Sequence, residues 1–113
     1  MFGGFSLQRL LKAERLSEFQ LGYFRAGHAH AGVLLVMSLA AMSFLDRADL
    51  GTAARWIVCV LLAIGVIAQP GGMFLHMAIG QPGRWSAGNA TTTAGGIALA
   101  VGLLTLAYGI AVA

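Results

Sequence analysis

Charged residues are scarce in this sequence. They make up 10% of the 113 residues, whereas hydrophobic residues make up 58%. A soluble domain usually carries about 25% charged residues, and a domain this small buries only about two-thirds of the surface that its unfolded chain exposes. A chain with so few charges cannot cover a water-facing surface. The composition therefore predicts an integral membrane protein, with the lipid bilayer as its partner.

Groups that support catalysis are also lacking. Cys59 is the only cysteine, so an intramolecular disulfide is excluded and the redox compartment stays open. The four acidic residues lie outside the apolar runs, at Glu14, Glu18, Asp46 and Asp49. We find no paired carboxylates, no nucleophile beside a base and no phosphate-binding glycine loop. We therefore expect no hydrolytic or phosphoryl-transfer activity from the chain on its own.

The basic residues form no patch interleaved with exposed aromatic side chains, which argues against a nucleic-acid partner. They flank apolar runs instead, as membrane anchors do. Residues 1–25 contain no basic segment followed by an apolar one, so we expect no cleavable signal peptide. The first membrane helix is then its own insertion signal.

The first sixteen residues predict an N-terminal amphipathic segment. Leu7, Leu10 and Leu11 fall on one side of a helix over residues 5–15, and polar side chains fall on the other. Such a helix suits the bilayer interface, although packing against a partner protein needs the same pattern. Ser17 followed by Gln20 fits a capping box, so we expect a break near 15–17 and a new helix start.

Residues 17–113 predict an all-α transmembrane domain of about three helices. The first should run over 17–45, since 26–45 holds 20 residues without a formal charge, enough to cross a core of about 30 Å. Residues 46–52 form a polar connection. After a turn at 81–86, a last helix should start at Ser86 or Asn89 and run to about Val112.

The second span is ambiguous, because the apolar run over 56–68 is too short to cross the core. Pro70 follows it, and another apolar stretch follows Pro70. Either one helix spans 54–80 with a kink at Pro70, or a half-helix precedes a re-entrant segment. We favour the kinked helix, since neighbouring helices can satisfy the carbonyl that proline leaves free.

Small residues in the last helix predict a close helix contact. They recur at four-residue spacing at Ala94, Ala98 and Gly102, with Gly95, Thr105 and Gly109 adjoining. Rows of this kind let helices approach closely in lipid, so this face should pack against the other helices or another copy of the chain. Self-association or membership of a larger membrane complex is the expected consequence.

Lysine and arginine counts predict the orientation. With three spans, one side of the membrane carries five of these residues and the other side carries two. The five are Arg9, Lys12, Arg15, Arg25 and Arg84, and the two are Arg47 and Arg55. We therefore expect a cytoplasmic N-terminus.

Three histidines are the main candidates for a functional site. His28 and His30 enter the first span and His76 leaves the second, so chain direction places all three near one membrane face. Ionisable residues inside spans are costly and by default mark function, and imidazole is a common metal ligand. His28 and His30 are about 200° apart on a helix, so a three-histidine zinc or copper site would need non-helical backbone at 27–30.

Haem b is the second cofactor that these histidines could bind. His76 and either His28 or His30 would be axial ligands from antiparallel helices, with Arg25 and Arg84 pairing with the propionates. The segment GHAHAG, residues 27–32, resembles the His-x-His segment of haem-copper oxidases and nitric oxide reductases over six residues. That resemblance implies a membrane helix able to hold haem. The chain has too few helices and histidines to be such an oxidase.

Three functional interpretations follow. The first is an accessory or oligomeric membrane subunit in which histidines and the threonines at 91–93 form a packing and hydrogen-bond network. The second is a haem or transition-metal protein of electron transfer. The third is a proton-linked transporter of a small solute that acts as an oligomer.

Overall fold

The computed structural model describes residues 16–113, and the regular elements in that range are helical. Helix α1 spans Glu18–Met42, α2 spans Thr52–Ile79 and α3 spans Ala87–Ala111, with a 3₁₀ turn at Leu45–Arg47. By length and composition, all three long helices could cross a membrane. The predicted all-α, multi-pass architecture is therefore supported in outline. The predicted interfacial segment, residues 1–16, falls outside the described range except for its last residue.

Two serine caps begin helices α1 and α3. The backbone N–H of Gln20 donates to Ser17 Oγ over 3.2 Å, and Gln20 Oε1 accepts from the Ser17 backbone N–H. The predicted capping box is confirmed. At α3 the cap is Ser86, whose backbone N–H donates to Asn89 Oδ1 over 2.9 Å. Both residues considered at the sequence level thus take part, one as the cap and the other as its partner.

Helix α2 is continuous. It contains 28 residues with Pro70 in its interior, so the alternative of a half-helix followed by a re-entrant segment is wrong. Pro70 is buried among the helices, where other groups can compensate for its missing N–H. A kink at this proline stays a prediction.

A row of glycines joins α3 to α2. The α3 row recurs every seven residues at Gly88, Gly95, Gly102 and Gly109, and all four are buried. Gly65 and Gly72 lie at the same spacing on α2. A Cβ atom at Gly95 would collide with the backbone of Gln69. Seven-residue spacing is typical of helices that pack side by side along one seam, and here small residues bring the two backbones together.

The predicted row of small residues is partly in this seam. Gly102 and Gly109 pack against α2 and the loop before it, whereas Ala94 is exposed and Ala98 is half-buried. Packing against the other helices, the first of the two uses considered, is thus observed for the glycines. Self-association stays a prediction.

Helix α1 packs against a different side of α2 from α3. It has fewer buried residues than α3. Phe24, Gly27 and Ser38 are its buried positions, and Gly27 lets the ring of Phe74 approach to 3.0 Å from where a Cβ atom would lie. In the most apolar 18-residue stretch of each helix, only 11% of the residues of α1 are buried, against 33% of those of α3. The structure is thus an α2–α3 hairpin to which α1 is attached along one seam.

The loop between α1 and α2 is tied to the far end of the hairpin. Arg55 donates from Nε to the Leu50 carbonyl over 3.1 Å and from Nη2 to the Ala48 carbonyl over 3.2 Å. The Asp49 N–H donates to the carbonyl of Gly109 over 2.8 Å. These bonds fix the end of the bundle opposite His76.

Candidate functional site

All three helices meet at His76, near the C-terminal end of α2. The side chain is 2% exposed, and its Nδ1 shares a hydrogen bond of 2.5 Å with Ser86 Oγ at the start of α3. From α1, the rings of Tyr23 and Phe19 stand edge-on to the imidazole, with centroids 4.6 and 5.3 Å away. His76 is therefore a buried polar joint between elements that are distant in sequence.

Local backbone geometry makes room for this joint. A Cβ atom at Gly80 would collide with the imidazole, and one at Gly88 would collide with the His76 backbone. Between them Gly83 has a φ of +72°, a conformation that side chains rarely allow, and it turns the chain from α2 into α3. The glycines of the turn thus allow Ser86 to reach the histidine one turn before the end of α2.

The Ser86 hydroxyl has several partners. It accepts from the Gly88 N–H over 3.1 Å and lies 3.3 Å from Asn89 Oδ1. Its single proton can go either to His76 Nδ1 or to Asn89 Oδ1, and in the second case His76 donates through Nδ1. Either proton arrangement couples the histidine to the cap of α3.

His28 and His30 lie away from this joint. Since Tyr23 is level with His76, helical rise places His28 about 7 Å and His30 about 10 Å deeper along α1. His28 is half-buried and His30 is exposed. The His30 Nδ1–H donates to the carbonyl of Ala26 over 2.8 Å, which leaves Nε2 facing away from the helix backbone. The two imidazoles occupy different sides of α1, as their spacing predicts.

Metal binding by a three-histidine group is not supported. Within residues 16–113, no three His, Cys, Asp or Glu side chains come close enough together to hold an ion. The reason is the depth difference: chain direction places the histidines in the same half of the bundle, but helix register separates them. Arg25 and Arg84, the predicted propionate partners, are exposed. Ligation of haem by His76 with one other histidine stays a prediction.

The threonines of α3 do not join the histidines. Thr91 Oγ1 donates to the Ala87 carbonyl over 2.9 Å, and Thr92 Oγ1 donates to the Gln69 carbonyl over 3.0 Å. The second bond crosses the glycine seam. Its role is to hold α2 and α3 together, a common use of hydroxyl groups between membrane helices.

Comparisons with protein-family models, curated proteins and solved structures give no match to this chain. The site must be interpreted from its own geometry.

Sequence reasoning missed the partners of His76. Ser86 was expected as a helix cap but not as a hydrogen-bond partner of the His76 imidazole. Phe19 and Tyr23 were not expected beside that ring. The sequence carries no local signal for these partners, because they depend on the register between helices. In the structure, Gln20 Nε2 donates to the Met77 carbonyl over 3.5 Å. This contact indicates the register that aligns residues 19–23 with the end of α2.

Proposed function

We propose that this chain is an accessory or oligomeric membrane subunit in which α1 packs against a helix of another subunit, either a second copy or a different protein. Large apolar side chains are exposed on all three helices, as a bilayer or a neighbouring membrane helix requires. Three helices attached along two seams can hardly enclose a transport pathway by themselves. Assembly with other helices is the role that this architecture favours.

The exposed His30 carries this proposal. An ionisable side chain on the outer face of a span is costly in lipid and is usually covered by protein. Its Nδ1 proton is engaged by Ala26, so the neutral ring offers Nε2 as an acceptor. A hydroxyl, amide or indole N–H on a partner helix would satisfy it.

His76 has a different part in this proposal. Its contacts are with the same chain, through Ser86, Phe19 and Tyr23. It would fix α1 against the hairpin and thereby present the His30 face in one orientation. In this proposal His76 joins the helices of one chain, and His30 contacts the neighbouring subunit.

Cysteine cross-linking tests the proposal. In a Cys59→Ser background, Val33→Cys places a thiol one turn from His30, where Val33 is 67% exposed. We expect a maleimide–diazirine reagent, whose photoactivated carbene needs no thiol on the partner, to cross-link this variant in native membranes, giving a homodimer or an adduct with another subunit. Adding His30→Leu should lower the yield at least fivefold. Ile64→Cys, 50% exposed on α2, is the matched control and should stay monomeric.

A monomer at Val33→Cys, or equal cross-linking with and without His30→Leu, would contradict the proposal. A homodimer identifies a second copy as the partner, whereas an adduct of different mass identifies an accessory role.

Haem-dependent electron transfer is the second candidate. One observation favours it: Ser86 orients Nδ1 of His76, and ligating histidines are usually held in this way through their other ring nitrogen. The rings of Phe19 and Tyr23 would have to move aside to admit a porphyrin. A Soret band in the purified protein that disappears with His76→Ala would support haem over the accessory role. Proton-linked transport by an oligomer is a third alternative, tested by substrate flux into liposomes.

A further inference from the structure

Helices α1 and α2 leave a lateral groove between them, on a side of α1 different from that of Val33. Its volume is about 270 Å³. Seven of its eight lining residues are apolar, and Ser38 supplies the one hydroxyl. Leu35 and Leu39 form the α1 wall, and Ala63 and Ile67 form the α2 wall. The groove covers about two turns of each helix, which suits a small ring better than a docked helix.

Ser38 has an unusual environment for a hydroxyl. The residue is 3% exposed, and Oγ has no hydrogen-bond partner among residues 16–113. Buried polar groups are nearly always paired, and an unpaired one indicates a missing partner or a functional role. A molecule in the groove that offers an acceptor would supply that partner.

The depth of Ser38 restricts what can bind there. Ser38 is seven residues before Leu45, about 10 Å inside the end of the apolar run. Phospholipid headgroups lie outside a hydrocarbon core of about 30 Å, and acyl chains carry no hydrogen-bonding group. Among lipid-soluble molecules, one with a carbonyl at this depth is a neutral molecule that dissolves in the core.

We propose that the groove binds a lipid-soluble quinone. The ring would lie between Leu35 and Ile67, and one ring carbonyl would accept a hydrogen bond from Ser38 Oγ. A substituted single ring matches a volume slightly below the roughly 300 Å³ at which drug-sized pockets begin. The site is independent of the proposed subunit contact, because it uses neither His30 nor Val33.

Photolabelling of the full chain in nanodiscs tests this site. The probe is an azido-benzoquinone with a decyl chain, and the unlabelled decyl-benzoquinone is the competitor. We expect label on residues 35–42 or 62–67, removed by the competitor. Ser38→Ala should weaken the apparent affinity about fivefold, the size of one neutral hydrogen bond. Ala63→Phe should abolish labelling by filling the groove.

Two matched variants separate binding from general disturbance. Ser43→Ala removes a hydroxyl that already donates to the Ala40 carbonyl of the same helix, and Ala100→Phe adds an exposed ring to α3. Both should label like the parent chain. Label that is not removed by competitor, that maps elsewhere, or that is unchanged by Ser38→Ala would overturn the proposal. Thermal midpoints of Ser38→Ala and Ala63→Phe close to the parent value show that lost labelling is not lost folding.

Discussion

The hydroxyl of Ser86 makes an interhelical hydrogen bond that the hydroxyl of Ser17 does not make, although both serines begin a helix with a capping box. Ser17 bonds only within its own first turn. Ser86 also reaches back across the turn to a buried imidazole. The two serines therefore form a pair that begins a helix in the same way and differs in the interhelical contact and in exposure, since Ser17 is exposed and Ser86 is half-buried.

We expect Ser86→Ala to lower the free energy of unfolding by about 2–3 kcal/mol and Ser17→Ala by about 1 kcal/mol. Loss of a cap accounts for about 1 kcal/mol in each. The remainder at position 86 comes from a buried ring nitrogen left without its partner. Unfolding in detergent by titration with SDS measures both. In a His76→Leu background the two serine substitutions should cost the same amount, and an equal loss in the parent chain would contradict this role of Ser86.

At this scale the sequence predicts some residues better than others. The cap at Ser17 was predictable because a capping box is local and its spacing is fixed, whereas the sequence left Ser86 and Asn89 as alternatives for the cap of α3. The depth of His76 relative to His28 was not predictable, because it depends on the register between α1 and α2. That register is set by Gly27 against Phe74 and by the aromatic rings around His76, which are contacts distant in sequence.

The glycine seam between α2 and α3 is the main feature at the scale of the helices. Gly95 and Gly96 are adjacent on α3 but face different surroundings. A Cβ atom at Gly95 would meet the backbone of Gln69, whereas one at Gly96 would meet open space. Substituting each glycine by alanine therefore separates the effect of close packing from the intrinsic cost of glycine in a helix.

Gly95→Ala should destabilise the protein by about 1–3 kcal/mol, because the added methyl forces the two backbones apart. Gly96→Ala should be neutral or stabilising by up to about 1 kcal/mol, since alanine favours helix. Thermal midpoints in the same detergent compare them. Equal effects at the two positions would contradict a seam built on backbone contact.

The three helices were predicted well, since their length and apolar composition determine them. The face of α3 that packs was predicted only in part. A search at four-residue spacing finds Ala94 and Ala98, but helices that pack along a seam repeat every seven residues. The structure buries Gly88, which that search left out, and Gly95, which it placed beside the row.

The whole molecule has an expected orientation in the bilayer. Five lysines and arginines on the N-terminal side against two on the other side predict that the N-terminus is in the cytoplasm. In a Cys59→Ser background, Ala113→Cys should react in intact cells with a maleimide that cannot cross membranes. Gln81→Cys, in the exposed turn before α3, should react only after the cells are opened. The reverse result would invert the topology.

The uneven burial of the helices has a consequence for how the protein is made. Helix α1 leaves the ribosome first, yet nearly all its buried contacts are with α2, which is synthesised later. Until α2 arrives, Phe24, Ser38 and the half-buried His28 of α1 meet lipid or the insertion machinery alone. The α2–α3 hairpin, in contrast, can close as soon as its second helix enters the bilayer. Assembly should therefore proceed against the order of synthesis, with the first helix docking last.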